Sequence, residues 1–209
     1  MRVFDHIESE TSANDRRSLL VLQEFAATGG PYDYLEIGSH LGGSLQPFVV
    51  DERCRSIVSI DPRPAAQPDS RLPEGELHRY DGNSTERMLG LLAAIPGADL
   101  SKLRTIERST EAIDPASIAT DPALCFIDGE HTHVAALRDA LFCAAVAPRS
   151  VVAFHDSQLV WRGISAFMRV VGGYGHPLPD SVFVVDLGGR GRLDDHLAHP
   201  EFWRAANAA

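Results

Sequence analysis

Tyr34-Leu35-Glu36-Ile37-Gly38-Ser39-His40-Leu41-Gly42-Gly43-Ser44 reads as a short apolar strand that breaks into a glycine-rich turn. Glycine has no Cβ, so such a turn lets backbone N–H groups approach a ligand closely and face its negative or carbonyl oxygens where a helix begins. Strand, glycine turn and helix start in that order predict a nucleotide-type cofactor site, with the strand over 34–37 and the helix over 44–51.

The next strand fits the same unit. Residues 56–61, Ser-Ile-Val-Ser-Ile-Asp, are apolar, β-branched and end in an acid about 25 residues after Glu36, the spacing of a βαβ unit. Asp61 at that strand end either accepts both hydroxyls of a ribose or is a solvated carboxylate, and the preceding glycine turn favours the ribose. Upstream, Leu19, Leu20, Leu22, Phe25 and Ala26 recur at helical spacing over 12–27, before a stop at Thr28-Gly29-Gly30-Pro31. Downstream, 62–73 contains Pro62, Pro64, Pro68 and Pro73 and reads as an irregular loop.

The alternation continues. Asn83 or Ser84 caps a helix reaching about 95, ended by Pro96-Gly97, and 103–107 is a weak third strand for which 77–80 competes. Residues 123–128 form a stronger buried strand ending in Asp128. A helix follows over 133–146, then a strand over 150–156 ending in His155-Asp156, a helix over 163–171 broken by Gly172-Gly173, and a last strand over 181–186. Strands alternating with helices imply an α/β fold: a Rossmann-like, doubly wound, mostly parallel sheet with helices on both faces. The expected organisation is one domain over 1–209, with a helical lead at 1–30, a core at 32–187 and a tail at 188–209 that is Gly- and Arg-rich and then carries His196, His199, Phe202 and Trp203. In such sheets ligands sit outside the carboxyl ends of the strands, so Glu36, Asp61, Asp128, His155 and Asp156 are expected to face one crevice.

Composition narrows the partners. The formal net charge is −10, with 29 acidic against 19 basic residues, and Lys102 is the only lysine. That argues against a nucleic-acid surface, which needs clustered cations. Cys54, Cys125 and Cys143 have no metal spacing and suit a reducing cytoplasm. The N-terminus lacks an apolar signal region, and no run approaches the roughly 18 apolar residues of a membrane span, so neither export nor membrane insertion is expected.

The motifs, taken together, resemble a known family. Leu35-Glu36-Ile37-Gly38-Ser39, Gly42-Gly43-Ser44 and Asp61 one strand later look like the first two motifs of class I S-adenosylmethionine-dependent methyltransferases. Phe126-Ile-Asp-Gly-Glu-His131 and Ala153-Phe-His-Asp156 resemble methyltransferase family 24, similar to small-molecule and sugar O-methyltransferases. The glycine motif departs from G-x-G-x-G and from the G-x-G-x-x-G of dinucleotide dehydrogenases; the ordered set carries the likeness. It implies S-adenosylmethionine as cofactor: Glu36, Gly38 and Ser39 at its methionine part, Gly43 and Ser44 lining the turn, Asp61 on the ribose, Ser109 and Thr110 at the adenine, and Asp128 beside the sulfonium and the acceptor.

Methyl transfer to a hydroxyl needs alignment and removal or masking of one proton. His131, in the turn before a helix, can point back into the crevice as a base near its ordinary pKa, and His155 is a second candidate. Asp128 and Asp156 could instead supply two carboxylates to Mg²⁺, although Ser157 stands where related metal-dependent enzymes carry a further Asp or Asn. A zinc site from His131, His133 and His155 matches no standard spacing. Two other readings remain: a nicotinamide-dependent oxidoreductase with Asp61 on the NAD ribose, and a methyltransferase-like binding module without catalysis. The expected partner is a small-molecule acceptor, with a homodimer suggested by the short chain and its apolar tail residues.

Overall fold

The computed structural model describes residues 2–188 and 193–208; residues 189–192 of the Gly- and Arg-rich stretch lie outside the described residues. The strands are β1 (Tyr32–Ile37), β2 (Cys54–Ile60), β3 (Ala66–Pro68), β4 (Leu77–Arg79), β5 (Leu103–Ile106), β6 (Leu124–Ile127), β7 (Val151–Phe154), β8 (Tyr174–Pro177) and β9 (Phe183–Asp186). The helices are α1 (Ala13–Ala27), α2 (Gln46–Val50), α3 (Thr85–Ala93), α4 (His133–Val146), α5 (Trp161–Val171), α6 (Leu193–Ala198) and α7 (Pro200–Ala208).

Seven strands form one sheet in the order β5-β2-β1-β6-β7-β9-β8. β9 runs antiparallel to both neighbours and the other pairings are parallel, which is the doubly wound, mostly parallel arrangement expected from the sequence. Strand order reverses between β1 and β6, so the ligand crevice belongs outside their carboxyl ends. There the hydrogen-bond ladder runs one residue past the strands. Asp128 N–H donates to Ile37 C=O at 2.8 Å, His155 N–H to Ile127 C=O at 3.0 Å, and Gly38 N–H to Ile60 C=O at 2.9 Å. Gly38, Asp128 and His155 are thereby fixed at one rim.

The central strands are buried on both faces, which is why they read as nearly continuous apolar runs. Tyr32 and Tyr34 join Leu19, Leu22 and Phe48 in one core, while Leu35 and Ile37 join Val152, Ile164 and Phe167 in the other. Tyr34 stacks on Phe48 with ring centroids 3.6 Å apart. Ser12 and Asp15 close α1 with a reciprocal capping box, worth about 1 kcal/mol.

The structure departs from the sequence expectations in four places. The helix expected over 44–51 contracts to α2, because the glycine turn extends through Leu45 before Pro47 starts the helix. Within 62–80, β3 and β4 pair as a separate antiparallel ribbon, so 77–80 does not compete for the sheet edge that β5 takes. β8 was not legible, since Gly175 and Pro177 have poor strand propensity; as the edge strand it tolerates a proline, and Gly175 leaves room for the Phe183 ring. The described tail is helical, and His196 Nε2 lies 3.0 Å from the Val21 carbonyl while its ring stacks on Phe202.

Candidate active site

A cleft of about 250 Å³ opens at the carboxyl ends of β1, β2 and β6, lined among others by Gly38, Asp61, Tyr80, Ser109, Thr110 and Asp128. Asp61 sits just past β2, where its N–H donates to the Ile106 carbonyl. Its carboxylate accepts from His40 N–H at 2.9 Å and Arg63 N–H at 2.7 Å, and pairs with the Arg63 guanidinium at 3.2 Å. A carboxylate has about four lone-pair sites, so acceptor capacity remains for a ligand hydroxyl. Arg63 adopts a left-handed φ of 56° and also donates to the His40 carbonyl and to Ser39 Oγ, tying the glycine turn to the end of β2.

The glycines of the turn answer first to the chain itself. A Cβ on Gly38, whose φ is +87°, would meet the Asp128 carbonyl oxygen at 2.2 Å, and one on Gly43 would meet Ser9 Cβ at 2.2 Å. Ser39 Oγ bonds Ser59 Oγ at 2.6 Å. Glu36 is fully buried beneath the turn, accepting from Tyr34 Oη at 2.5 Å and Ser44 Oγ at 2.7 Å, and it is absent from the lining of this cleft and of its neighbour. Burial pushes its carboxyl up to about 8 despite those donors. At the far end Thr110 Oγ1 donates to Asp139 at 2.5 Å, beside Arg138. Burial raises the Asp139 carboxyl above the usual range, against Thr110 and Arg138.

A second, smaller cleft of about 60 Å³ shares Gly38, His40, Tyr80 and Asp128 with the first and reaches His131, His155, Asp156, Ser39, Gly43 and Ser44. Its outer wall is the segment Glu8 to Thr11. Here the three strand-end motifs converge. His155 Nδ1 lies 2.9 Å from Asp128 Oδ1, and His131 Nε2 lies 3.6 Å from Asp128 Oδ1 and 3.4 Å from Asp156 Oδ2. Behind the rings, His131 Nδ1 is 2.9 Å from Asp69 Oδ2 and His155 Nε2 is 3.3 Å from Asp15 Oδ2. Arg71 donates to Asp69 at 2.6 Å.

These contacts set the charges. Burial alone would raise the Asp128 carboxyl, but His155 and His131 hold it down to about 2. Burial alone would lower His155, yet Asp128, Asp15 and Asp156 raise it to about 11; His131 is raised in the same way by Asp128, Asp69 and Asp156. The sequence reading has His131 as a neutral imidazole near its ordinary value. In this structure its carboxylate neighbours raise the ring above that value, as they do His155.

Among the described residues, the donor atoms close enough to share one ion belong to Asp128, His131 and His155, a group that does not include His133. Sequence reasoning missed Asp15, Asp69, Arg63, Arg71 and Tyr80. Asp15 is hidden in a capping box, and Asp69 and Arg71 lie in a proline-rich loop whose partners depend on the tertiary fold; an acid and an arginine two apart there, Asp69-Ser70-Arg71, was the only local signal.

No family model and no curated relative matches the chain. Solved structures do. CalS11, a calicheamicin methyltransferase, superposes with a TM-score of 0.61 at 18% identity over 82% of this chain and 78% of that one; its apo form is described as a TDP-rhamnose 3′-O-methyltransferase. The O-methyltransferase NovP gives 0.61 at 14% identity over 85% and 79%, and cofactor-bound Rv0187 from MTB gives 0.58 at 12% over 90% and 86%. The chain has the fold of the class I S-adenosylmethionine-dependent methyltransferases.

Proposed function

We propose that this chain transfers a methyl group from S-adenosylmethionine to a hydroxyl of a small molecule, with a sugar or glycosylated metabolite as the favoured acceptor class. The observation that carries the reading is the pair of adjoining clefts that meet at Asp128, one ending on Asp61 and Thr110, the other on two imidazoles and Asp156. The long cleft suits an adenosine, the junction a sulfonium, and the small cleft an acceptor hydroxyl. The sugar class is supported by the fold likeness to CalS11, described as a TDP-rhamnose methyltransferase.

In this reading Asp61 accepts the ribose hydroxyls, Ser109 and Thr110 bound the adenine, and the turn from Gly38 through Ser39 to Gly43 and Ser44 holds the methionine part. Glu36 acts from beneath, fixing that turn through Ser44. The acceptor oxygen forms its bond to the methyl carbon as the carbon–sulfur bond breaks, leaving neutral S-adenosylhomocysteine and one proton to be placed. His131 and His155 are the groups assigned to take it, with Asp128 between them, and the carboxylate neighbours that raise both rings strengthen their hold on a proton. A divalent ion among the same donors would instead lower the acceptor's own pKa. A cytoplasmic setting fits the three buried, unpaired thiols.

Calorimetric titration with S-adenosylhomocysteine and S-adenosylmethionine tests this reading, with NADH fluorescence as the counter-titration. Saturable binding of the sulfur compounds and none of NADH is expected. The reverse would make the chain a nicotinamide-dependent oxidoreductase, and binding of neither would leave a non-catalytic module.

A further inference from the structure

We infer that Asp139 sets the base specificity of the long cleft: its free carboxylate oxygen accepts an N–H from the exocyclic amine of a bound adenine, so that the chain takes adenosyl compounds and rejects their inosyl counterparts. The inference rests on the methyl-transfer reading and adds a specificity-determining residue to it. Asp139 lies in the middle of α4 and not at a strand end.

Asp139 is only 2% exposed, yet it lines the long cleft together with Thr110 and Gly129. Its Oδ1 accepts from Thr110 Oγ1 at 2.5 Å and from Arg138 Nε at 3.1 Å. Among the described residues no protein donor reaches Oδ2. That oxygen stands 3.5 Å from where a β-carbon on Gly129 would lie, beside the cleft wall. A buried carboxylate oxygen without a donor is costly, so the position calls for an N–H brought by the ligand.

The surroundings make that demand one-sided. Thr110 has a single hydroxyl proton, already donated to Asp139, and its oxygen accepts from Arg138 Nε at 3.2 Å, so Thr110 has no side-chain proton left for a ligand. Arg138 is itself turned to Asp139 and Glu111. Burial raises the Asp139 carboxyl, but Thr110 and Arg138 pull it back toward the charged form, which can only accept. Arg108 and Glu111 line the same cleft but are exposed, while Ile60, Pro62 and Pro64 supply apolar wall for the faces of a flat ring. Adenine carries at C6 an amine with two N–H donors. Hypoxanthine carries a carbonyl there, which would set one acceptor oxygen against another and leave the buried charge unpaired. Losing a hydrogen bond to a charged group in this way lowers affinity by about 10–100-fold.

The test is calorimetric titration of S-adenosylhomocysteine and of S-inosylhomocysteine into the full chain and its Asp139→Asn variant, with folding checked by circular dichroism. The parent should bind the adenosyl compound about 10–100-fold more tightly than the inosyl one. In Asp139→Asn the side-chain amide can accept from an amine or donate to a carbonyl, so the ratio should fall below about threefold. Asp139→Ser, whose hydroxyl also donates or accepts, gives the same reading where Asp139→Asn does not fold. A purely structural role for Asp139 would weaken both compounds equally and keep the ratio, which would overturn the inference. A parent ratio near one would overturn it while leaving the methyl-transfer reading intact, whereas binding of neither compound would end both.

Discussion

Gly38 and Asp128 touch: a β-carbon on Gly38 would lie 2.2 Å from the Asp128 carbonyl oxygen and 2.4 Å from its carbonyl carbon. The two residues cap the strands between which the sheet reverses order, so the first glycine of the turn sets how closely β1 and β6 bring their functional ends together. The glycine is required by the chain's own backbone before any ligand arrives. Backbone cannot swing aside as a side chain can, and the φ of +87° adds strain for any other residue.

Gly38→Ala is therefore expected to destabilise the protein by about 3 kcal/mol or more. Gly129→Ala, whose new Cβ would meet its nearest atoms at an ordinary 3.5 Å, should cost less than about 1 kcal/mol. Urea denaturation of the two variants checks the contrast. Equal losses would show that the approach of Gly38 to Asp128 is not what fixes the rim.

Arg63 and Asp61 form a pair whose side chains are each only 6% exposed. Breaking a buried pair from one side leaves an uncompensated charge, so Arg63→Ala should cost about 3–5 kcal/mol. It should also loosen the turn that Arg63 ties down through the His40 carbonyl and Ser39, and weaken S-adenosylhomocysteine binding. Denaturation and calorimetry on the same variant read both effects. A loss below about 1 kcal/mol would mean the pair is screened as if at the surface.

Glu36 makes stability pH-dependent in a direction opposite to most carboxylates. Burial raises its folded-state value from 4.5 to about 8, so between those limits the folded chain holds a proton that the unfolded chain has released. Stability supplied by the protonated form is complete below the lower value and is lost as pH rises through the window. At about 1.36 kcal/mol per pKa unit the loss is on the order of 4–5 kcal/mol. Glu36→Gln keeps the shape without the titration. Its stability advantage over the parent should grow from pH 5 to pH 8.5 in urea melts, and a pH-independent difference would contradict the burial of an ionisable Glu36.

The sheet and its strand-end residues were legible because buried parallel strands announce themselves as apolar runs and their acids fall at fixed places: Asp61, Asp128 and Asp156 each close such a run. What was not legible depends on distant segments. Asp69 meets His131 from 62 residues away, and Asp15 meets Ser181 from 166 residues away. Neither partner leaves a trace in local spacing. Glu36 shows the other limit: a strand-end acid reads as a ligand contact, but strand alternation carries its side chain under the turn with Tyr34, while Gly38 and Asp128 are among the residues that line the cleft. β8 escaped because edge strands need little propensity of their own.

The central claim, that the cleft on Asp61 is an S-adenosylmethionine site, is tested most directly by calorimetric titration of S-adenosylhomocysteine into the full chain and its Asp61→Ala variant, with folding of both verified by circular dichroism. One site per chain, weakened at least about tenfold by Asp61→Ala, corresponding to about 1.4 kcal/mol, is the predicted result. Absence of binding to the parent, or unaltered affinity in a folded Asp61→Ala variant, would contradict it.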